Sequence, residues 1–341
     1  MINRFLLDYD NPDAGIGHSM GIINRDIKIA SRNQLQLVYS ESQLIKSHSK
    51  SLQWNMKQFL RWLRGKNIYE THNIGNDLNL MLNIKQLLPS REDLEKQISQ
   101  KKIKLVELPR LQINIPSNEQ DDDDTYREID QFIQSNHESN IAFRVSRNLS
   151  GDYEYESTKA WFSNAYAKAR GLQPIPLVFN LNQFNIAVHI RRGDLLPGRQ
   201  FSDLSSRMLP DVWYLKILDT IIYNSNKKIA IHIFSEGKEG KYLSENGMPF
   251  SWKAYFQDTP HEVSEHIDSD FIGTFHHLLN ADVLIGSKSG MSHLAGMLGT
   301  GIKIMPKMWH SYRGANQLLE ISGSQYELNQ VDITKHLQQY L

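Results

Sequence analysis

The hydrophobic positions along the chain predict strands and helices in alternation. A strand is predicted over residues 5–9, a turn over 13–19, a helix from Met20 with apolar residues at helical spacing, and a second strand over 35–39. This strand–helix–strand unit is the building block of a parallel sheet. The other elements predicted in this half are strands over 103–108 and 141–145 and helices over 126–133 and 158–170.

A second series of strands and helices begins after the break at Pro174-Ile175-Pro176. Its strands are continuous apolar runs, which is typical of a parallel sheet covered by helices on both faces. The predicted strands span 186–190, 228–234, 283–285 and 302–305, and the predicted helices span 210–223, 270–280, 292–298 and 331–341. The pattern predicts an α/β protein with two Rossmann-like, doubly wound domains, residues 1–180 and 181–341.

Composition narrows the classes of function. The 341 residues balance 38 Lys and Arg against 38 Asp and Glu, whereas a nucleic-acid binder usually carries a basic excess. The absence of cysteine excludes disulfides, thiolate metal sites and cysteine nucleophiles. No run of 18 apolar residues and no secretory signal is present, so we expect a cytoplasmic protein without a transmembrane segment.

Three stretches allow a functional and a simpler interpretation. The predicted helix Ser51–Arg64 combines aromatic and basic residues, which would allow peripheral membrane contact, but an ordinary amphipathic helix on the core is favoured. The acidic run Asp121–Asp124 is expected to be a solvated loop before a helix rather than a metal cluster. An acidic stretch between Asp258 and Asp268 could read a guanine base, but a surface loop is favoured.

The segment His189-Ile190-Arg191-Arg192-Gly193-Asp194 is the strongest chemical signal. A strand delivers two adjacent arginines to its carboxyl end, the edge at which open α/β sheets bind ligands. Two permanently charged guanidinium groups suit the oxygens of a diphosphate, and a glycine lets the backbone turn beside it. These residues predict an anion site.

The same segment resembles the His-x-Arg-Arg-x-Asp signature of alpha-1,2- and alpha-1,6-fucosyltransferases and the related nodulation fucosyltransferase. In that family the signature opens the donor domain of a GT-B fold, two Rossmann-like domains facing across a cleft. The resemblance implies that Arg191 and Arg192 bind the diphosphate of GDP-fucose, that Arg192 takes part in catalysis, and that His189 and Asp194 support the motif.

Two further segments are similar to the family's later motifs. Ser235 and Glu236 end a strand in a short acidic loop. A strand at 283–285 meets a serine-rich loop at a helix N-terminus, where hydroxyl and backbone N–H groups favour an anion. The candidate diphosphate-binding residues here are Ser287, Ser289, Gly290 and Met291, with His293 as a supporting residue.

The N-terminal turn that contains Gly15, Gly17 and His18 is similar to the glycine loop of the family's acceptor domain, although a tight turn without a ligand fits equally well. This turn lacks the family's amide-rich sequence, and the third motif continues as Ser-His-Leu-Ala-Gly, closer to heptosyltransferases. The stretch 195–199 lacks the carboxylate that alpha-1,6 enzymes carry there.

The expected reaction is transfer of L-fucose from GDP-fucose to a glycan acceptor, with inversion and without a metal ion or other cofactor. The arginines would stabilise the leaving diphosphate in place of a metal. The acceptor hydroxyl needs a base, for which Asp203 is the candidate, with Asp13 and His18 as alternatives.

Two other functions compete with this one. The first is a GT-B transferase with a rhamnosyl, mannosyl or heptosyl donor, which the heptosyltransferase-like segment favours. The second is a non-catalytic nucleotide- or glycan-binding protein, which the unassigned base favours.

Overall fold

In the computed structural model the chain forms two compact units, Met1–Gln173 and Pro174–Leu341. The structure describes residues 3–7, 16–38, 74–109, 121–145, 151–198, 202–238, 240–324 and 327–339, and only the backbone of residues 16, 18, 74–76, 121–125, 194, 202 and 203. The helix predicted over 51–64, with its membrane-surface interpretation, lies outside the described residues. None of the described helices combines the length and apolar character needed to cross a bilayer.

The described part of the N-terminal unit is built on a four-stranded parallel sheet in the order β2-β1-β4-β3. The strands are β1 (Arg4–Leu7), β2 (Gln36–Val38), β3 (Lys104–Glu107) and β4 (Ile141–Arg144), and the helices are α1 (Ile16–Arg32), α2 (Ile74–Leu82), α3 (Ile84–Leu87), α4 (Arg91–Ser99), α5 (Asp121–Ser135) and α6 (Lys159–Leu172). Leu6 of β1 and Phe143 of β4 share a buried cluster with Ile129 and Ile133 of α5. Removal of these side chains from water stabilises the layer of helix on sheet.

The C-terminal unit has a six-stranded parallel sheet in the order β10-β9-β8-β5-β6-β7. The strands are β5 (Phe184–Ile190), β6 (Ile229–Ser235), β7 (Glu262–Ile267), β8 (Val283–Ile285), β9 (Ile302–Pro306) and β10 (Leu318–Ile321), and the α-helices are α7 (Asp211–Asn224), α8 (Trp252–Tyr255), α9 (Phe271–Asn280), α10 (Gly290–Leu298) and α11 (Gln330–Gln338). Counted within this unit the order is 6-5-4-1-2-3, which is the Rossmann order.

Both faces of this sheet are covered. Ile186, Val188 and Ile190 of β5 share one buried cluster with residues of α7 and α11. On the opposite face of the same strand, His189 contacts Ser292 of α10. The predicted class, two parallel-sheet α/β domains, is confirmed.

Several local predictions were wrong. Helix α1 begins at Ile16, so Gly17 and His18 lie in its first turn rather than in a preceding loop. A glycine weakens a helix by about 1 kcal/mol but does not end it, and the buried face that includes Met20 and Ile27 supports the longer helix. Asp121–Asp124 form the first turn of α5 instead of a loop. Negative residues are stabilised there by the helix dipole.

The acidic stretch between Asp258 and Asp268 contains the edge strand β7 rather than only a surface loop. Alternate residues of β7 face water, and Glu262 pairs with Lys228 of the neighbouring chain segment at 2.7 Å. Val263 and Ile267 pack against the core from the same strand. The strand was not predicted from the sequence, because it contains more polar than apolar positions and has no continuous apolar run.

Gly301, directly before β9, generates a stability prediction. A methyl group at Gly301 would lie 2.1 Å from the Ala281 oxygen and 2.7 Å from the Asp282 oxygen. These backbone atoms belong to the segment that leads into β8, the strand that pairs with β9, and the Ile302 N–H donates to the same Asp282 oxygen at 2.9 Å. Gly301→Ala should therefore destabilise the protein by about 1–3 kcal/mol, measured as a lower thermal unfolding midpoint.

The matched control is Gly171→Ala in α6. A methyl group at Gly171 meets nothing within 4 Å among the described residues, and alanine favours a helix over glycine by about 0.5–1 kcal/mol. This variant should unfold at or above the wild-type temperature. An unchanged midpoint for Gly301→Ala would contradict the close approach of the two chain segments.

Candidate functional site

The candidate site lies where the chain direction divides in the C-terminal sheet. From β5 the chain continues through α7 to β6 on one side, whereas β8 leads through α10 to β9 on the other. The loops that leave β5 and β8 therefore diverge and open a crevice at the carboxyl edge, the position at which such sheets bind ligands. The tertiary structure thus brings together two motifs that are about a hundred residues apart in the sequence, Arg191-Arg192 and Ser287-Lys288-Ser289.

A buried histidine joins the ends of these two strands. Nδ1 of His189 lies 2.5 Å from Oγ of Ser292 and 3.1 Å from Oγ of Ser287. The Ser287 N–H donates to the Ser292 hydroxyl at 3.0 Å. We call His189, Ser287 and Ser292 the strand-end clamp, because the three residues fix the loop after β8 against β5.

The imidazole of the strand-end clamp is neutral. Burial, with a smaller contribution from the charge of Arg191, lowers the pKa of His189 to about 3. His189 therefore supplies hydrogen bonds without charge at neutral pH, and the positive charge beside it comes from other residues.

The N-terminus of α10 opens into the same loop. Ser289 is its N-cap and accepts a hydrogen bond from the Met291 N–H at 3.2 Å. Gly290 begins the helix. This end of a helix carries a partial positive charge and N–H groups that favour an anion.

The two adjacent arginines have different environments. Arg192 has no exposed surface, and its guanidinium pairs with Asp211, the first residue of α7. Tyr242 donates to the same carboxylate, and Glu245 lies 3.8 Å from the guanidinium. Burial raises the pKa of Asp211, against the opposing effect of Arg192.

Arg191 is partly exposed at the carboxyl edge. Its backbone oxygen accepts a hydrogen bond from Nη1 of Arg192 at 3.1 Å, so the buried arginine holds the backbone of the exposed one. Among these two residues, the exposed arginine is therefore the one with access to a ligand in solution.

The loop after β5 is also fixed from β6. Ser235 donates to the Ile190 oxygen at 2.7 Å, and Glu236 accepts from the Arg192 N–H at 3.3 Å. Gly193 has a φ of +32°, and a methyl group there would lie 2.9 Å from the Glu236 side chain. A side chain at this position would therefore be strained in both backbone conformation and space.

His293 has a packing role in the structure. Its Nε2 is 2.7 Å from the Ser311 oxygen, and its ring centroid is 4.9 Å from that of Tyr312 and 5.2 Å from that of His310. With 1% exposure it connects α10 to the loop after β9. This contact fixes the helix whose N-terminus faces the site.

Other predicted site residues are not brought into this group by the described contacts. Gly17 and His18 belong to the N-terminal unit, and Gly15 and Asp13 lie outside the described residues. Asp194 and Asp203 lie in the short 3-10 helices Gly193–Leu195 and Ser202–Arg207, where the structure describes their backbone alone.

Sequence reasoning missed the carboxylate and tyrosine that surround Arg192. Asp211 follows Pro210 at the start of a predicted helix, and this position for an acidic residue was the available signal. Tyr242 and Glu245 lie in an irregular segment without such a signal. Across the described residues, no group of three or more His, Cys, Asp or Glu side chains could hold a metal ion.

No protein-family model and no curated protein matches the sequence. Solved structures with a similar fold include the E. coli heptosyltransferase WaaC with ADP, at 13% identity, 98% and 99% coverage of this chain and that one, and a TM-score of 0.43. POFUT1 in complex with GDP-fucose matches at 9% identity, 86% and 93% coverage and a TM-score of 0.44. Arabidopsis thaliana FUT1, as a variant with GDP, matches at 11% identity, 91% and 72% coverage and a TM-score of 0.38.

The buried histidine of the strand-end clamp should make the stability of the fold sensitive to acid. The pKa of His189 is about 3 in the folded chain against an ordinary 6.5, so its contribution to stability is complete above pH 6.5 and is lost as the pH falls towards 3. Between these two pH values, each such histidine lowers the free energy of unfolding by up to about 1.4 kcal/mol for every pH unit of acidification. Burial also lowers the pKa of His232 to about 4 and that of His310 to about 3, so the losses add.

His189→Asn should reduce the fall in unfolding free energy between pH 6.5 and 4.5, measured by urea denaturation at several pH values. The same replacement at the exposed His137 is the control. A wild-type pH dependence in His189→Asn would show that this histidine is not buried in its neutral form.

Proposed function

We propose that the protein is a glycosyltransferase of the GT-B type that uses a nucleotide-sugar donor, with the donor diphosphate bound at the carboxyl edge of the C-terminal sheet. The observation that carries this proposal is the convergence of Arg191, the strand-end clamp and the N-terminus of α10 at the divergence of β5 and β8. Arg191 and the N-terminus of α10 favour a multiply charged anion, and the strand-end clamp fixes the loop that carries this helix end. A diphosphate has enough oxygens to accept from both.

The two arginines have separate roles in this proposal. Arg191 contacts the diphosphate and stabilises the negative charge that develops on it as the sugar leaves. Arg192 acts through Arg191, because its guanidinium is held by Asp211 and donates to the Arg191 backbone. The exposure of the two side chains favours this assignment over direct contact by both.

The sugar proposed is L-fucose, from GDP-fucose, transferred with inversion to a glycan acceptor. The support for fucose is the resemblance of residues 189–194 to the fucosyltransferase signature. In a single displacement the acceptor oxygen forms the new bond to the anomeric carbon, the bond to the diphosphate breaks, and a base takes the hydroxyl proton. Asp203 is the proposed base, and the N-terminal unit is the proposed acceptor half.

Replacing each arginine separately should distinguish an effect on nucleotide binding from an effect on the stability of the fold. Arg191→Ala should weaken GDP binding about tenfold or more, because a charged hydrogen bond contributes roughly 1.5–3 kcal/mol. Arg192→Ala should instead lower the unfolding free energy by about 3–5 kcal/mol, since the buried Asp211 would lose its counter-charge. Calorimetric titration with GDP and thermal unfolding measure the two effects. A larger loss of stability in Arg191→Ala than in Arg192→Ala would contradict the assignment.

Donor hydrolysis distinguishes the sugars. Purified protein should release free sugar from GDP-fucose faster than from GDP-mannose, dTDP-rhamnose or ADP-heptose, and EDTA should leave that rate unchanged. Turnover of another donor without turnover of GDP-fucose would exclude fucose and retain the glycosyltransferase.

Asp203→Asn should lower kcat for transfer to a glycan at least about a hundredfold without weakening GDP binding.

A non-catalytic binding protein is the competing function. It predicts that the wild type binds nucleotide diphosphates and transfers no sugar from any donor in the panel. Transfer by the wild type, together with its loss in Arg191→Ala, would exclude this alternative.

A further inference from the structure

Lys288 lies inside the candidate site and has no role so far. It sits between Ser287 and Ser289, in the loop from β8 to α10. Ser287 is fixed by the strand-end clamp, and Ser289 caps α10. The backbone of Lys288 is therefore held on both sides, so the direction in which its side chain leaves the loop is determined by buried hydrogen bonds.

A second chain segment lies against the end of the Lys288 side chain. A methyl group on Gly323 would lie 2.9 Å from both Cε and Nζ of Lys288, so this glycine leaves the space that the lysine occupies. The segment around Gly323 is itself anchored, because the Trp213 indole donates to the Ser322 oxygen at 2.8 Å. The partly buried side chain of Lys288 thus ends beside the backbone of the anchored segment around Gly323.

The charge of Lys288 is not compensated within the described residues. In that part of the chain Lys288 has no hydrogen-bond or ion-pair partner, whereas the charge of Arg192 is balanced by Asp211 and Glu245. A partly buried ammonium group without a protein partner attracts an anionic ligand more strongly than a fully solvated one does, because the local dielectric is lower. An anion at this edge would meet Lys288 from the β8 loop and Arg191 from the β5 loop.

We infer that Lys288 binds the second phosphate of a nucleoside diphosphate and that it distinguishes diphosphates from monophosphates. This inference rests on the proposed function and adds a residue to it. Arg191 and the N-terminus of α10 suffice for one phosphate, whereas a diphosphate brings further negative charge that the Lys288 ammonium balances. The same contact would stabilise the diphosphate as it leaves the sugar.

The test compares GDP with GMP as ligands of the whole 341-residue chain. Lys288→Met removes the charge and keeps most of the apolar side chain. It should weaken GDP binding about tenfold or more, which corresponds to roughly 1.4 kcal/mol or more, and change GMP binding less than about threefold. Lys288→Arg should keep most of the preference for GDP, and Lys335→Met, an exposed lysine of α11, should bind both nucleotides as the wild type does.

Gly323→Ala provides a second variant that keeps the charge. Its methyl group would displace the ammonium group, so GDP binding should weaken while GMP binding stays the same. Equal losses for GDP and GMP in Lys288→Met, or no loss for either, would overturn the role of Lys288. If the wild type binds ADP, UDP or dTDP instead, the same comparison is made with that diphosphate and its monophosphate. A wild type that binds no nucleoside diphosphate would contradict the proposed function itself.

Discussion

The pairing of Arg192 with Asp211 constrains the whole carboxyl edge of the C-terminal sheet. A guanidinium with no exposed surface cannot lose its proton, so the fold must surround it with acceptors. Asp211 supplies the charge from the start of α7, and Tyr242 and Glu245 supply further contacts from the segment after β6. One buried cation thereby ties the end of β5 to α7 and to the segment after β6.

This arrangement explains why two adjacent arginines have different environments. Successive residues at the end of a strand point in different directions, so one side chain is directed into the protein and the other remains near solvent. The buried Arg192 donates to the backbone oxygen of Arg191. This contact positions Arg191 without using its guanidinium group. Neutral His189 fixes the neighbouring loop in the same way, through hydrogen bonds and without adding charge.

The balance of charge is local rather than global. The chain has a formal net charge of zero, so no general positive field attracts an anion to it. At the divergence of β5 and β8, Arg191 and Lys288 lie in the two loops at the carboxyl edge of the sheet, and α10 begins there. The proposed anion site depends on these few fixed groups, and the helices and loops behind them determine their positions.

Sequence pattern was enough to predict the alternation of strands and helices, the two parallel-sheet units and the strand ends that carry the chemical motifs. These features depend on local periodicity, because each buried strand and each amphipathic helix repeats its own pattern. Sequence pattern did not predict the edge strand β7, because polar residues separate its apolar ones. It also did not predict that a helix begins at Asp121, where the acidic residues indicated a loop.

The strand order and the separate environments of Arg191 and Arg192 depend on the three-dimensional fold. The same is true of the contacts made by Asp211, Tyr242 and Gly323. The physical reason is that burial and charge pairing depend on segments far apart in the chain. Asp211 is 19 residues from Arg192, and Ser292 is 103 residues from His189. No pattern within one helix or strand records which distant side chain will compensate a buried charge.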